Sequence, residues 1–137
     1  MMTVKELLGL DKLKSIELAA GKAGAKRAVT GAVMLDNPEM VDWMREGELL
    51  LTTGYVLKEN PDLQDDILDA LIKNKASGLA IKTRRYFDEI PCSITDKAEE
   101  LTFPVLRLPY YMSLSEISEI INRHVYLDGF ENNYEAE

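Results

Sequence analysis

Gly47-Glu48-Leu49-Leu50-Leu51-Thr52-Thr53-Gly54 decides how the rest of the chain is read. Its run of leucines leaves no polar side for a half-exposed strand. A strand apolar on both faces is covered on both faces, which is the pattern of a parallel sheet with helices above and below. Gly47 stops the preceding element and Gly54 turns the chain afterwards. Thr52 and Thr53 then stand at the carboxyl end of a central strand.

Working outward, residues 28–36 (Ala-Val-Thr-Gly-Ala-Val-Met-Leu-Asp) are also strand material, β-branched and apolar. Gly31 inside that run suggests a bulge or a close backbone contact. Asn37-Pro38 opens a helix, since proline suits a first helical turn. Met40, Val41, Trp43 and Met44 give that helix an apolar side, at a spacing that reads as core. Further upstream, residues 16–20 form a weaker strand ended by Gly21. Thr3-Val4-Lys5-Glu6 is a capping box for a short helix that Gly9 stops.

Downstream, residues 61–75 form the clearest helix, with Leu63, Ile67, Leu68, Leu71 and Ile72 on one side. Residues 79–82 and 104–108 read as strands, with a helix from about 90 to 101 between them. Ser113-Leu114-Ser115-Glu116 caps a last helix reaching about residue 127. Its apolar side is Leu114, Ile117, Ile120, Ile121 and Val125. This alternation predicts an α/β fold: one small, mostly parallel sheet flanked by helices, a single domain over residues 1–127. Residues 128–137 read as an acidic tail or the start of a linker.

Composition narrows the function. Of 137 residues, 46% are hydrophobic and 29% charged, a globular balance. No apolar run approaches the roughly 18 residues of a membrane span, and the first residues lack a secretory leader, so a cytoplasmic protein without membrane contact is expected. The net charge of −8 opposes a phosphate backbone, so this segment is not expected to contact nucleic acid. Cys92 and His124 are the single cysteine and histidine. They exclude an internal disulfide and the usual zinc sets, and read as a packed thiol and a surface imidazole. Asp62, Asp65, Asp66 and Asp69 lack calcium-loop spacing and read as a solvated helix face. No phosphate loop, dinucleotide fingerprint or nucleophile elbow is present. Neither a cofactor nor a metal is expected.

Several blocks, in order, resemble one family. They are Thr3-Val4-x-x-Leu7-Leu8, Ala20-Gly21-x-x-Gly24, Val33-Met34-Leu35-Asp36-Asn37-Pro38, Trp43-Met44-x-x-Gly47 through Gly54, Gly78-Leu79-Ala80-Ile81-Lys82, Arg85-Tyr86-Phe87-x-x-Ile90-Pro91, Ala98 and Phe103-Pro104-Val105-x-x-Leu108-Pro109. Together they resemble the N-terminal domain of PucR-type (purine catabolism regulator-like) bacterial transcriptional regulators over about residues 3 to 127. The resemblance implies a non-catalytic sensory or assembly domain, with the DNA-reading helix-turn-helix in another part of the full protein. This chain departs from the family at Asp36, where Glu is common. It also has Thr83-Arg84 where a Gly often precedes Arg-Tyr, and Thr102 in place of a small turn residue.

The candidate ligand site is Thr52, Thr53, Gly54, Lys82, Arg84, Arg85 and Tyr86. Ligands of open α/β sheets gather beyond the carboxyl ends of strands. Arginine forks suit a carboxylate or phosphate, and tyrosine suits a flat ring, as in a purine-like metabolite. The plainer readings take precedence: threonine-capped turns with positive φ at Gly54, and a solvated basic loop paired with Asp88 and Glu89. Glu48 either fixes the turn before its strand or is simply exposed. A homodimer is expected, through the C-terminal helix and its Leu114, Ile117, Ile121 and Val125, alongside an unidentified small-molecule effector. The competing functions are a ligand-free interaction domain and a small enzyme using Cys92 or Arg84 and Arg85.

Overall fold

The computed structural model describes residues 1–136, with side chains described through Gly129. The strands are β1 (Glu17–Ala20), β2 (Gly31–Met34), β3 (Glu48–Thr52), β4 (Gly78–Lys82) and β5 (Val105–Leu108). They form one sheet in the order β1-β5-β4-β3-β2. β2 to β5 are mutually parallel, and β1 joins β5 antiparallel with an irregularity between Leu18 and Ala20. The α/β class and the mostly parallel sheet are as the leucine run predicts.

The leucines of β3 divide between two cores. Leu50 faces one side with Leu79, Ile81 and Val105. Leu49 and Leu51 face the other with Ala80, Leu106 and Leu108. None of the three leucines is more than 1% exposed, and each contributes about 2 kcal/mol of apolar burial. The first face is covered by helices α2 (Tyr55–Glu59), α3 (Pro61–Lys73) and α4 (Cys92–Leu101), through Leu57, Ile67, Leu68, Leu71, Ile94 and Ala98. The second is covered by α1 (Val4–Leu8) and α5 (Leu114–Ala136), through Val4, Leu7, Ile117, Ile120 and Ile121.

Local signals explain most element ends. The capping box at Thr3 is complete: the Glu6 N–H donates to Thr3 Oγ1 and the Thr3 N–H to Glu6 Oε1. The Glu116 N–H donates to Ser113 Oγ at the start of α5. Gly47 has φ +85, and a Cβ there would lie 2.6 Å from Thr30 Cγ2, so only glycine closes this turn without displacing Thr30.

Three elements differ from the expectation. The segment after Asn37 is a 3-10 helix, Pro38–Trp43, whose tighter winding turns Val41 and Met44 inward and leaves Trp43 82% exposed. Trp43 is therefore not core. α2 has no sequence signal of its own, because it is a single turn or so continued from Gly54. α5 runs past Leu127 to Ala136, because its backbone continues helically where the apolar periodicity has ended. No helix of the described residues is long and apolar enough to cross a membrane.

Candidate functional site

The carboxyl ends of β3 and β4 hold the residues nominated from sequence. Thr52 is buried and its Oγ1 accepts the Gly54 N–H at 2.9 Å. Thr53 Oγ1 accepts the Tyr55 N–H at 3.3 Å. Gly54 has φ +98, and a Cβ there would sit 3.0 Å from the Phe87 ring. Both hydroxyls thus serve as turn caps that launch α2.

Lys82 ends β4 on the α5 side of the sheet, level with Leu108 of β5. It is only 6% exposed, and among the described residues its ammonium has no hydrogen bond or ion pair. Burial first, and the positive charge of Arg85 second, hold its pKa below the ordinary value.

The loop after β4 splits the remaining nominees. Arg85 lies over Tyr86 at 5.6 Å, and Tyr86 meets Tyr55 of α2 edge-on at 5.3 Å. Arg84 turns the other way. Its φ is +78, its N–H donates to the Phe87 carbonyl at 2.7 Å, and its guanidinium lies 4.9 Å from the centre of the Tyr110 ring. A left-handed residue with a side chain costs about 1–2 kcal/mol relative to the right-handed region. A glycine at this position would carry no such cost. The expected pairing with Asp88 and Glu89 does not form: Glu89 instead meets Arg107, and neither Arg84 nor Arg85 has an ion pair among the described residues.

Connectivity explains where Arg84 points. β2, β3, β4 and β5 are adjacent in chain order, and their crossovers all lie on the α3–α4 side. β5 breaks the series, because Pro109-Tyr110-Tyr111-Met112 carries the chain over to α5 on the opposite face. The connections leaving β4 and β5 therefore part to opposite sides, and a crevice opens between them. That is where open α/β sheets take ligands. A groove of about 390 Å³ lies here, lined by Thr83 and Arg84 after β4, by Leu108, Pro109, Tyr110 and Tyr111 after β5, and by Lys14, Ser15, Glu17 and Arg107 beside them. Of the nominated residues, Arg84 lines it. Tyr110 and Tyr111 were missed, although two adjacent tyrosines between Pro109 and Met112 were visible. Their meaning depends on strand order.

The other candidates fall as follows. Cys92 is exposed at the start of α4, and His124 lies on α5 with Nδ1 2.9 Å from the Ile120 carbonyl oxygen. The sheet separates their helices. Lys97 Nζ donates to Asp69 at 2.6 Å and to the Asp65 carbonyl at 2.9 Å, tying α4 to the acidic side of α3. That hydrogen bond, and the charges of Asp69, Asp66 and Asp65, raise the Lys97 pKa against its desolvation. Glu48 is half-buried and accepts the Arg45 N–H at 2.6 Å, so it fixes the turn before β3. On α5, Ile117 and Ile121 are fully used in the core, whereas Leu114 and Val125 are half-buried.

The chain belongs to the purine catabolism regulatory protein-like family, whose model matches residues 6–125. It is 34% identical over 124 residues to the purine catabolism regulatory protein of Bacillus subtilis (strain 168). That match spans 90% of this chain but 23% of the relative. No solved structure matches.

Proposed function

We propose that this chain is a non-catalytic regulatory domain of a transcriptional regulator, and that it senses a small metabolite in the crevice between β4 and β5. The observation that carries this reading is the groove at the point where the connections of adjacent parallel strands part. Family membership supports the regulatory role, and the name of the Bacillus subtilis protein points to a purine-related effector. The acidic charge of −8 supports DNA reading by another part of the full regulator. The nominated Lys82, Arg85, Tyr86 and Thr52-Thr53-Gly54 are not among the residues that line this crevice.

A thermal-shift screen with purines, ureides and nucleotides tests the reading. A ligand at a hundred times its Kd stabilises the fold by about 2.7 kcal/mol, which raises Tm by several degrees in a domain of this size. No stabilisation by any compound would overturn sensing.

A second reading, homodimerisation, is favoured by the exposed Tyr126 and Leu127 on α5. A dimer built on α5 uses its outward residues, because Ile117 and Ile121 are already buried. Light scattering at tens of micromolar that shows only a monomer excludes it.

A further inference from the structure

We propose that the crevice between β4 and β5 is specific for a flat organic anion, and that Arg84 is the residue that sets this specificity. The proposal rests on the sensing function proposed above and adds the chemical class of the ligand.

Charge bookkeeping within the groove isolates Arg84. Lys14 is paired with Asp11 at 3.0 Å. Arg107 is paired with Glu17 at 2.8 Å and Glu89 at 3.4 Å. Arg84 alone among the lining cations has no carboxylate among the described residues. It is exposed, but not loosely placed. The left-handed backbone and the N–H donated to Phe87 reverse the loop at this residue. That reversal sends the side chain across the crevice onto Tyr110, away from the α4 layer. Attraction to the face of a ring consumes no N–H donor. The guanidinium is therefore positioned while its planar fork stays free, and that fork matches a carboxylate or a similar two-oxygen anion.

The remaining walls call for a flat body attached to that anion. Tyr110 and Tyr111 are 55% and 66% exposed and stand edge to face, with centres 5.6 Å apart at 84°. The half-buried Pro109 adds apolar surface beside them. A volume of about 390 Å³ lies near the lower end for small-molecule pockets and suits one or two rings. Glu17 lies on the same groove, so a second negative group on the ligand is disfavoured there.

The test uses the chain as it stands, labelled with nitrogen-15, and matched probes: benzoate, its neutral amide benzamide, and acetate. Benzoate is expected to shift the amide signals of Thr83, Arg84, Tyr110 and Tyr111 saturably, with benzamide at least about fivefold weaker for want of the charged hydrogen bond and acetate at least about fivefold weaker for want of the ring. Arg84→Gly and Arg84→Ala should each weaken benzoate roughly tenfold, with the rest of the spectrum unchanged to show that the fold is intact. Benzamide equal to benzoate, or variants that bind benzoate like the parent, would overturn the anion assignment and leave the crevice a small-molecule site. No movement of these amides with any probe would overturn the crevice as a binding site as well.

Discussion

Replacing Arg84 by glycine and by alanine separates backbone strain from side-chain contact at the crevice. Arg84 holds φ +78. A side-chain-bearing residue is about 1–2 kcal/mol less stable there than in the right-handed region. Alanine keeps that strain and loses the contact with the Tyr110 ring, worth about 0.5 kcal/mol at an exposed site. Glycine loses the same contact and relieves the strain, but it gives the unfolded chain about 0.5–1 kcal/mol of extra entropy. Glycine should therefore exceed alanine by about 0–1.5 kcal/mol, with a middle value of about 0.75 kcal/mol or roughly 3 °C in Tm for a chain of this length. At an ordinary position the order is reversed, so the sign alone is diagnostic. Arg85 supplies the control: its φ is not positive, and Arg85→Gly should fall below Arg85→Ala. Thr102 supplies the parallel case, at φ +50 on the C-terminus of α4. Urea unfolding followed by far-UV circular dichroism, with a shared m value, measures all of these. Arg84→Ala as stable as Arg84→Gly, or more stable, refutes the strain and with it the reason Arg84 points across the crevice.

Two further outcomes follow from polar side chains outside the crevice. Asn122 Oδ1 accepts the Ala32 N–H at 2.8 Å and its Nδ2 donates to the Ala32 carbonyl at 3.4 Å, so α5 closes the open edge of β2. Asn122→Ala should cost about 1–2 kcal/mol and speed hydrogen exchange at Ala32; unchanged exchange there would refute the edge-closing role. Lys82→Met should raise the unfolding midpoint at pH 7, because it removes an ammonium whose folded pKa lies below its ordinary 10.5. Between the folded value and 10.5 the unfolded chain binds more protons, so the parent gains stability as pH rises through that window. The advantage of Lys82→Met should therefore shrink toward pH 10.5; an advantage independent of pH contradicts the linkage.

The strands were legible because burial on both faces leaves a plain mark in sequence. Leu49-Leu50-Leu51 and Leu79-Ala80-Ile81 lack alternation, and both proved to lie at the centre of the sheet. Capping residues were equally plain, since Thr3 and Ser113 act within a few residues of themselves. Trp43 was misread because helical spacing does not distinguish a 3-10 turn from an α-helix. In the tighter turn the buried pair is Val41 and Met44, and the tryptophan points out. Ile117 and Ile121 pose the same ambiguity in reverse. An apolar helix side announces burial, and only the packed structure shows that the chain's own sheet is what buries it.

The proposed crevice was legible in sequence only at Arg84, and topology accounts for the rest. Reading from sequence favoured the ends of β3 and β4, because each strand ends in polar residues and neighbouring strands were expected. Both connections, however, leave toward the same helical layer, and Thr52 and Thr53 turn their hydroxyls to backbone N–H groups. The groove lies one strand further on, where the β5 connection changes sides. No local pattern encodes that change. It follows from the order β5-β4-β3-β2 together with the helices' distribution over the two faces. Arg84 bridges the two readings. It sits in the predicted basic loop, yet a left-handed backbone carries its charge to the tyrosines that follow β5. An arginine at φ +78 gives up an unstrained turn for a directed cation, and the proposed anion site gives that cation something to hold.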